Sequence, residues 1–151
     1  MGIYQKLRDN VYTLLQEIDE LQEKHPHPTL EFNGFPACFI LPVGNRADYL
    51  TNIENKRPYI FNIWIFQEYD QTNLATAYNS LMDCIDLVLN KFDEQDSPDS
   101  NREMQSGIPN GYTLVSVRPS SGEIMRDDVD KKLFVAVTVE CYVTVDLTTL
   151  A

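Results

Sequence analysis

The histidines are candidates for chemistry, because imidazole is a common metal ligand. The chain has two, His25 and His27, within the segment HPHP at positions 25–28. Two histidines that stand two residues apart in a proline-rich stretch do not have the spacing of a helical ligand pair. No cysteine or carboxylate cluster is placed in the sequence to complete a zinc shell. The spacing therefore predicts a surface turn rather than a metal site.

Three aspartates that stand close together, Asp127, Asp128 and Asp130, raise the alternative of a calcium site. An EF-hand loop alternates its oxygen ligands and needs a glycine at the sixth position and a glutamate at the twelfth. Here Val129 interrupts the run, and two lysines follow it. The segment is therefore predicted to be a solvated, charged turn.

Nucleophilic catalysis needs an activated thiol or hydroxyl, and the sequence offers no motif for either. Cys38, Cys84 and Cys141 each stand among apolar neighbours, whereas an activated thiol needs a nearby base or a helix N-terminus. Their odd number and wide spacing predict reduced thiols buried in a core. There is no GxSxG motif and no glycine-rich loop that would cradle a phosphate. The sequence thus predicts no cofactor, and nothing in it requires an enzyme.

The charge of the chain limits its partners: the formal net charge is −11 over 151 residues. Tight DNA binding needs clustered lysine and arginine, and the basic residues here are scattered. The length and the hydrophobic content of 43% predict one globular domain over residues 1–151. The N-terminus lacks the apolar stretch of a signal peptide, and no apolar run approaches the ~20 residues of a membrane span. We therefore expect no sequence-specific contact with nucleic acid and no membrane contact.

The segment Lys131–Leu147, KKLFVAVTVECYVTVDL, has the clearest pattern in the chain. Its odd positions are all apolar from Leu133 onwards, and its even positions are mostly polar. A period of two predicts a long strand with one buried face. Valine and threonine suit such a strand, because their stiff side chains pack well on a pleated surface. Its even face, which includes Phe134 and Tyr142, has no obvious cover within the chain.

Two apolar stripes with spacings of three and four predict helices at Ile3 to Lys24 and at Leu74 to Phe92. The first helix is predicted to end at the prolines of HPHP. For the second, the candidate caps are Asp70, Thr72 and Asn73.

The remaining segments alternate between apolar runs and polar stretches. They predict strands at Phe35–Leu41, Arg57–Tyr69 and Tyr112–Arg118, a long loop or extended hairpin tip at Asn45–Lys56, a mobile loop at Asp93–Ile108 and a link at Gly122–Asp130. The predicted order is α-β-β-α-β-β. It indicates an α+β fold with a mostly antiparallel four-stranded sheet and two helices packed on the sheet.

Aromatic side chains are more numerous than one small core needs, and tyrosine and tryptophan are favoured in protein–protein interfaces. Packing beneath the two helices is an equally compatible explanation for the aromatic ones. The candidates for contact with another subunit or partner are Arg46, Tyr49, Arg57, Tyr59, Trp64, Arg118 and Tyr142.

The order of these segments resembles that of the tail-terminator, or tail-completion, proteins of long-tailed bacteriophages. The resemblance runs from about Ile3 to Leu147. It is carried by a first helix, the strand FPACFILP, a polar loop that ends in ENKRPYIFNIWIFQ, the helix LMDCIDLVLNKFD, and the strands GYTLVSVRPSS and FVAVTVECYVTVDL.

The resemblance implies a virion structural protein that forms a homo-oligomeric, hexameric ring at the head-proximal end of the tail. The ring is assembled in the host cytoplasm, caps the tail tube protein, ends its polymerisation and presents a surface to a head-completion or neck protein. DNA passes through the lumen without specific binding, which suits a chain of net charge −11.

Two alternatives remain at this point. A neck or head–tail connector protein has a similar size and pattern. A small acidic enzyme or ligand-binding domain is the alternative of another class, and a deep pocket with converging polar groups would favour it.

Overall fold

The computed structural model describes residues 2–45, 48–49, 54–96 and 102–146. Within these ranges the chain forms two helices, seven strands and two short 3₁₀ turns. In chain order the elements are α1 (Ile3–Gln16), β1 (Glu23–His25), β2 (Ala37–Asn45), β3 (Asp48–Tyr49), β4 (Glu54–Glu68), α2 (Leu74–Asp93), the 3₁₀ turns Glu94–Asp96 and Glu103–Gln105, β5 (Tyr112–Ser121), β6 (Met125–Asp127) and β7 (Lys132–Asp146).

All seven strands of the described residues join one sheet. Its main order is β1-β2-β4-β7-β5, with β3 paired to β4 and β6 paired to β7. Every pairing is antiparallel except that of β1 with β2, which is parallel. The predicted α+β class is confirmed. The predicted four strands and the predicted order are wrong, because β1, β3 and β6 are only two or three residues long. Strands so short leave no alternation to detect.

The core lies between one face of the sheet and the two helices. The odd-numbered residues of β7 from Leu133 to Val145 are all 0% exposed, as the alternation predicted. Those from Leu133 to Val143 join a single cluster with apolar residues of α1 and α2, such as Leu7 and Leu81. Cys38, Cys84 and Cys141 belong to the same cluster, which confirms their predicted burial.

Helix α1 is shorter than predicted, because it ends at Gln16 rather than near Lys24. The backbone amides of Glu17 and Ile18 donate hydrogen bonds three residues back, which tightens the last turn. Ile18 is 5% exposed and Leu21 is 2% exposed, so both are still buried although the chain has left the helix. The apolar spacing was therefore a correct indicator of burial and a wrong indicator of helix length.

Strand β2 continues beyond the predicted end of its segment at Leu41. Its pairing with β4 shifts between Pro42 and Gly44 and then resumes, so the predicted break is a bulge within the strand. The hydroxyl of Tyr4 in α1 accepts a hydrogen bond from the amide of Gly44 at 2.8 Å. An unpaired amide at the bulge thus finds a partner on the helix.

The predicted mobile loop Asp93–Ile108 is partly a packed segment. Gln95, Arg102 and Met104 are buried, whereas residues 97–101 lie outside the described residues. The side-chain amide of Asn10 donates hydrogen bonds to the carbonyls of Met104 at 3.0 Å and Ser106 at 2.9 Å. The polar composition of this segment therefore reflects hydrogen bonds made beneath the surface.

Candidate functional site

The face of the sheet opposite the helices is the candidate site, and we call it the open face. The even-numbered residues of β7 from Phe134 to Asp146 point to it and are all half-buried. In the described part of the chain, α1 and α2 pack on the other face only. A sheet face that carries large aromatic rings without a covering layer is a candidate for contact with another molecule.

Aromatic rings from three strands and one loop gather at one end of the open face. Phe66 in β4 lies directly opposite Phe134 in β7, with ring centroids 6.1 Å apart. Phe39 of β2 packs against Phe66 at 5.5 Å, and Phe32 of the loop before β2 packs against it at 5.1 Å. Trp64 packs against Phe134 at 6.1 Å. The five rings form the floor of an open depression.

This depression, which we call the aromatic groove, has a volume of about 470 Å³. Besides the five rings, it is lined by Thr29, Leu30, Asp127, Asp130 and Lys132. Its size is that of a typical ligand or side-chain pocket. Its polar side chains are Thr29 in the loop between β1 and β2, Asp127 at the end of β6, Asp130 in the following turn and Lys132 at the start of β7. We call the three charged ones the rim of the groove.

The β6–β7 turn forms one wall of the groove and is held by its own side chains. Oδ1 of Asp127 accepts hydrogen bonds from the amides of Val129 at 2.9 Å and Asp130 at 3.2 Å. Lys131 completes the turn with a φ of 57° in the left-handed region. The predicted charged turn is therefore present, and it uses an aspartate to bind its own backbone rather than to present a ligand.

The loop between β1 and β2 forms the opposite wall. Oε1 of Glu23 accepts a hydrogen bond from the amide of Asn33 at 2.9 Å, and Oε2 lies 2.8 Å from Nε2 of His25. The hydrogen bond with His25 holds the pKa of Glu23 below its usual value. His25 also packs against Phe32, at 5.9 Å between ring centroids. His25 lies in β1 rather than in the predicted turn, and its ring takes part in supporting this wall.

The other end of the open face is charged, and Tyr142 lies at its centre. Nζ of Lys56 lies 5.0 Å from the centroid of the Tyr142 ring, and Cζ of Arg118 lies 5.4 Å from it. The Tyr142 hydroxyl donates a hydrogen bond of 2.5 Å to Oε2 of Glu140. Two cations over one aromatic ring form a positive patch on an acidic protein. We call these four side chains the charged end.

Of the residues predicted to make contacts, the structure brings Trp64, Arg118 and Tyr142 to the open face. Tyr59 lies on the helix-covered face and is 3% exposed, so it is a core residue rather than a contact residue. Arg57, on the same side of β4, is half-buried opposite Val143.

Of the two remaining predicted residues, only Tyr49 has a described backbone, in β3. Tyr49 pairs through its backbone with Asn55, and its side chain lies outside the described residues. Arg46 also lies outside them.

Sequence reasoning missed Phe32, Phe39 and Lys56 as members of the open face. A signal for Phe39 was present, because it alternates with the apolar Cys38 and Ile40 on the other face of β2. Phe32 lies in a loop without a period, so its place in the groove depends on how the chain folds back over the sheet.

The described residues give little support to catalytic or metal chemistry. Burial raises the pKa of Cys38 and Cys141 to about 12 and that of Cys84 to about 11, which disfavours the nucleophilic thiolate. Across residues 2–45, 48–49, 54–96 and 102–146, no group of three or more His, Cys, Asp or Glu residues is placed to hold a metal ion. Nor does any helix in these ranges have the length and apolar character needed to cross a membrane.

No family model matches this chain, and no curated protein matches it. Among solved structures, a chain of the "Virion of native gene transfer agent (GTA) particle" is similar, with a TM-score of 0.46 and 13% sequence identity. The similarity covers 95% of this chain and 92% of that chain.

Proposed function

We propose that this chain is a structural protein of a tailed-phage-like particle, a tail terminator whose copies form a ring on the finished tail tube. The resemblance in the order of its segments supports this role. All four long strands and both helices of that order are present among the described residues. In this role the protein acts by contact rather than by catalysis: it ends tube polymerisation and offers a surface to a head-completion or neck protein.

The single observation that carries the proposal is the open face with its charged end. Each copy has a net charge of −11, so copies repel one another unless basic groups lie between them. Lys56 and Arg118, set over the Tyr142 ring, supply such groups at one place on the sheet. We propose that this end meets an acidic surface of the neighbouring copy. Buried arginine and tyrosine are typical of the side chains that dominate interface energy.

The aromatic groove has a volume of about 470 Å³, so a small-ligand binder is the competing explanation of its function. A small-ligand site is a cleft that encloses most of its ligand between apolar and aromatic side chains and a few polar groups. The lining here has a similar composition, but the groove is an open depression on the sheet and encloses little of what it binds. This arrangement suits a macromolecular surface better, and we treat the groove as a second contact site of the same structural protein.

Measuring the oligomeric state tests whether the protein forms a ring. We expect the purified protein to form rings, in solution or on added tail tubes, as seen by sedimentation and electron microscopy. Arg118→Glu is expected to raise the protein concentration needed for assembly at least tenfold, because it replaces attraction with repulsion at the contact. Arg8→Glu makes the same charge change on α1 and is the matched control. A protein that stays monomeric at all concentrations and forms no rings on tail tubes would contradict the proposal.

Deleting the gene distinguishes the role of a tail terminator from that of a neck or connector protein. Loss of a terminator is expected to give overlong or uncapped tails. Tails of normal length that fail to join heads would instead favour the neck protein. The remaining candidate contacts, Arg46, Tyr49 and Arg57, are likewise proposed to face neighbours in the ring.

A further inference from the structure

We propose that the aromatic groove docks a segment of another protein of the particle, one that inserts one or two apolar side chains and carries lysine or arginine beside them. The inference rests on the proposed function in one respect, that the chain acts among other particle proteins. It adds a second contact site, distinct from the charged end, and the chemistry of the segment that fits it.

Apolar exposure at the groove is the first support. Leu30 on one wall is 92% exposed, and Val129 in the turn that forms the other wall is 90% exposed. They are the two most exposed large apolar side chains among the described residues. Leu30 lines the groove beside the five rings of its floor, and Val129 lies in the turn between the lining residues Asp127 and Asp130. Exposed apolar side chains beside an aromatic recess are expected where another molecule binds.

The shape of the floor is the second support. The ring planes of Phe32 and Phe66 are inclined by 35° and those of Trp64 and Phe134 by 46°. Phe32 stacks on Phe39 and Phe66 stacks on Phe134, and together the five rings line a recess. A recess of about 470 Å³ is large enough for a few side chains and too shallow to bury a whole domain. The fitting occupant is a short segment with apolar anchors.

The charge of the rim selects the flanking residues. Asp127 and Asp130 line the groove with two carboxylates, against the single cation Lys132. Nζ of Lys132 lies 5.7 Å from the centroid of the Phe35 ring, so this cation is already placed against the wall. The rim therefore attracts basic residues and repels acidic ones. A second copy of this chain, with its net charge of −11, is a poor occupant for the same reason.

Both walls are held before anything binds. The phenol of Tyr69 donates a hydrogen bond to Asp128 at 2.8 Å in the β6–β7 turn, and Glu23 holds the opposite loop through Asn33. A site that is already formed loses less conformational entropy on binding. The groove can therefore take up a short segment without folding first.

Trp64 makes the proposal measurable, because it is the only tryptophan of the chain and lines the groove. The probes are three synthetic peptides of equal length: one with lysines around a Leu-Phe pair, a twin with glutamates in place of lysines, and a twin with serines in place of Leu-Phe. We expect the first peptide to shift Trp64 emission to shorter wavelength in a saturable way. Its Kd is expected to be at least tenfold lower than that of either twin.

Variants of the lining residues test whether the peptide binds in the groove. Leu30→Lys is expected to raise the Kd of the lysine and Leu-Phe peptide at least tenfold, and the exposed position leaves folding intact. Asp130→Asn, on the rim, is expected to raise it severalfold and to reduce its dependence on salt. Val43→Lys is the matched control, because Val43 is also an exposed apolar residue, at 52%, and does not line the groove.

Several results would overturn the proposal. One is equal binding of the glutamate or serine twin, and another is no change in Trp64 emission with any peptide. An emission shift that grows with protein concentration alone, together with dimers in sedimentation, would show that a second copy occupies the groove. Ring formation is measured separately with Arg118→Glu, so failure of the groove proposal leaves the ring result standing, and the reverse also holds.

Discussion

The phenol of Tyr69 donates a hydrogen bond to Asp128, with 2.8 Å between the phenol oxygen and Oδ1. This bond joins the residue that follows β4 to the turn between β6 and β7, 59 positions further along the chain. Nε of Arg126 lies 2.8 Å from the same carboxylate oxygen. The hydrogen bond from Tyr69 is the main reason why the pKa of Asp128 lies below its usual value. One wall of the aromatic groove thus depends on a titratable contact.

Replacing Tyr69 with phenylalanine removes the donor, so we expect the pKa of Asp128 to rise towards its unfolded value of about 3.9. Because the folded pKa is depressed in the wild type, the contact stabilises the fold above the unfolded pKa. That stabilisation is lost as the pH falls through the folded pKa. Carboxyl NMR titration of both proteins measures the midpoint directly. Tyr112→Phe is the control, and an unchanged Asp128 midpoint in Tyr69→Phe would contradict the assignment.

The two faces of the sheet should respond differently to truncation. Phe61 on the helix-covered face is 0% exposed, and Phe61→Ala is expected to lower the free energy of unfolding by about 3–5 kcal/mol. Phe134 on the open face is half-buried, so Phe134→Ala should cost only about 1 kcal/mol. Urea denaturation measures both. Equal costs would mean that the open face is packed like a core, and the interaction surface would then have to be sought elsewhere.

The pattern of β7 was readable from the sequence because its alternation persists through all 15 residues of the strand. The strand begins at Lys132, one residue later than predicted, because Lys131 adopts a left-handed conformation that ends the preceding turn. A long alternation fixes the strand and its buried face with few assumptions, since a shift by one residue would expose every valine.

The sequence did not show which face of β4 meets the helices. Tyr59 and Phe61 alternate with Trp64 and Phe66, and both sets are aromatic, so the sequence does not say which set is covered. The register with β7 decides, because Tyr59 lies opposite the buried Cys141. For this reason Trp64 lies on the open face, whereas Tyr59 lies in the core.

The packed segment after α2 was missed because its partners are distant in sequence. Oε1 of Gln95 accepts a hydrogen bond from the amide of Met104, and Oδ1 of Asp96 accepts one from the amide of Val117 at 2.9 Å. Arg102 donates to the carbonyl of Leu114. Composition marks Gln95 and Arg102 as polar and therefore as exposed, whereas both are buried and bond to groups that only the folded chain brings near them.

Asn10 should be essential for the docking of this segment. Asn10→Ala leaves the carbonyls of Met104 and Ser106 without their side-chain donor, and a buried group that loses its partner costs about 1–3 kcal/mol. We expect hydrogen exchange to accelerate in residues 102–106 and to stay unchanged in β7. Thr13→Ala, on the exposed side of α1, is the control. Uniform acceleration across the protein would instead indicate global destabilisation.

The three cysteines should report unfolding rather than surface chemistry. Their thiol pKa values of about 11 to 12 and their burial predict no reaction with a thiol-specific reagent at pH 8 in the folded protein. In urea all three should react at once. The measurement is absorbance after addition of the reagent to folded and unfolded samples. Rapid labelling of one thiol in the folded protein would show an opening next to that residue.

Glu103, an exposed residue of the second 3₁₀ turn, provides a test of electrostatics in the segment that follows α2. Oε2 of Glu17 lies 3.1 Å from Nζ of Lys91, and Glu103 joins this pair as a second carboxylate. Desolvation, followed by the hydrogen bond and the charge of Glu17, raises the pKa of Glu103, and Glu94 adds to the repulsion. Between the unfolded and the folded pKa the folded state binds more protons, so the free energy of unfolding falls as the pH rises through this interval.

Glu103→Gln removes this charge, so the variant is expected to be more stable than the wild type at pH 7. The difference should shrink as the pH falls and should vanish below the unfolded pKa of about 4.3, where the wild-type carboxyl is protonated in both states. Urea denaturation at pH 7, 5.5 and 4 measures the difference. Glu123→Gln, at an exposed position, is the control and should change little at any pH. A gain from Glu103→Gln that stays constant across this range would mean that the substitution acts through packing or helix propensity, and not through the charge shared with Glu17.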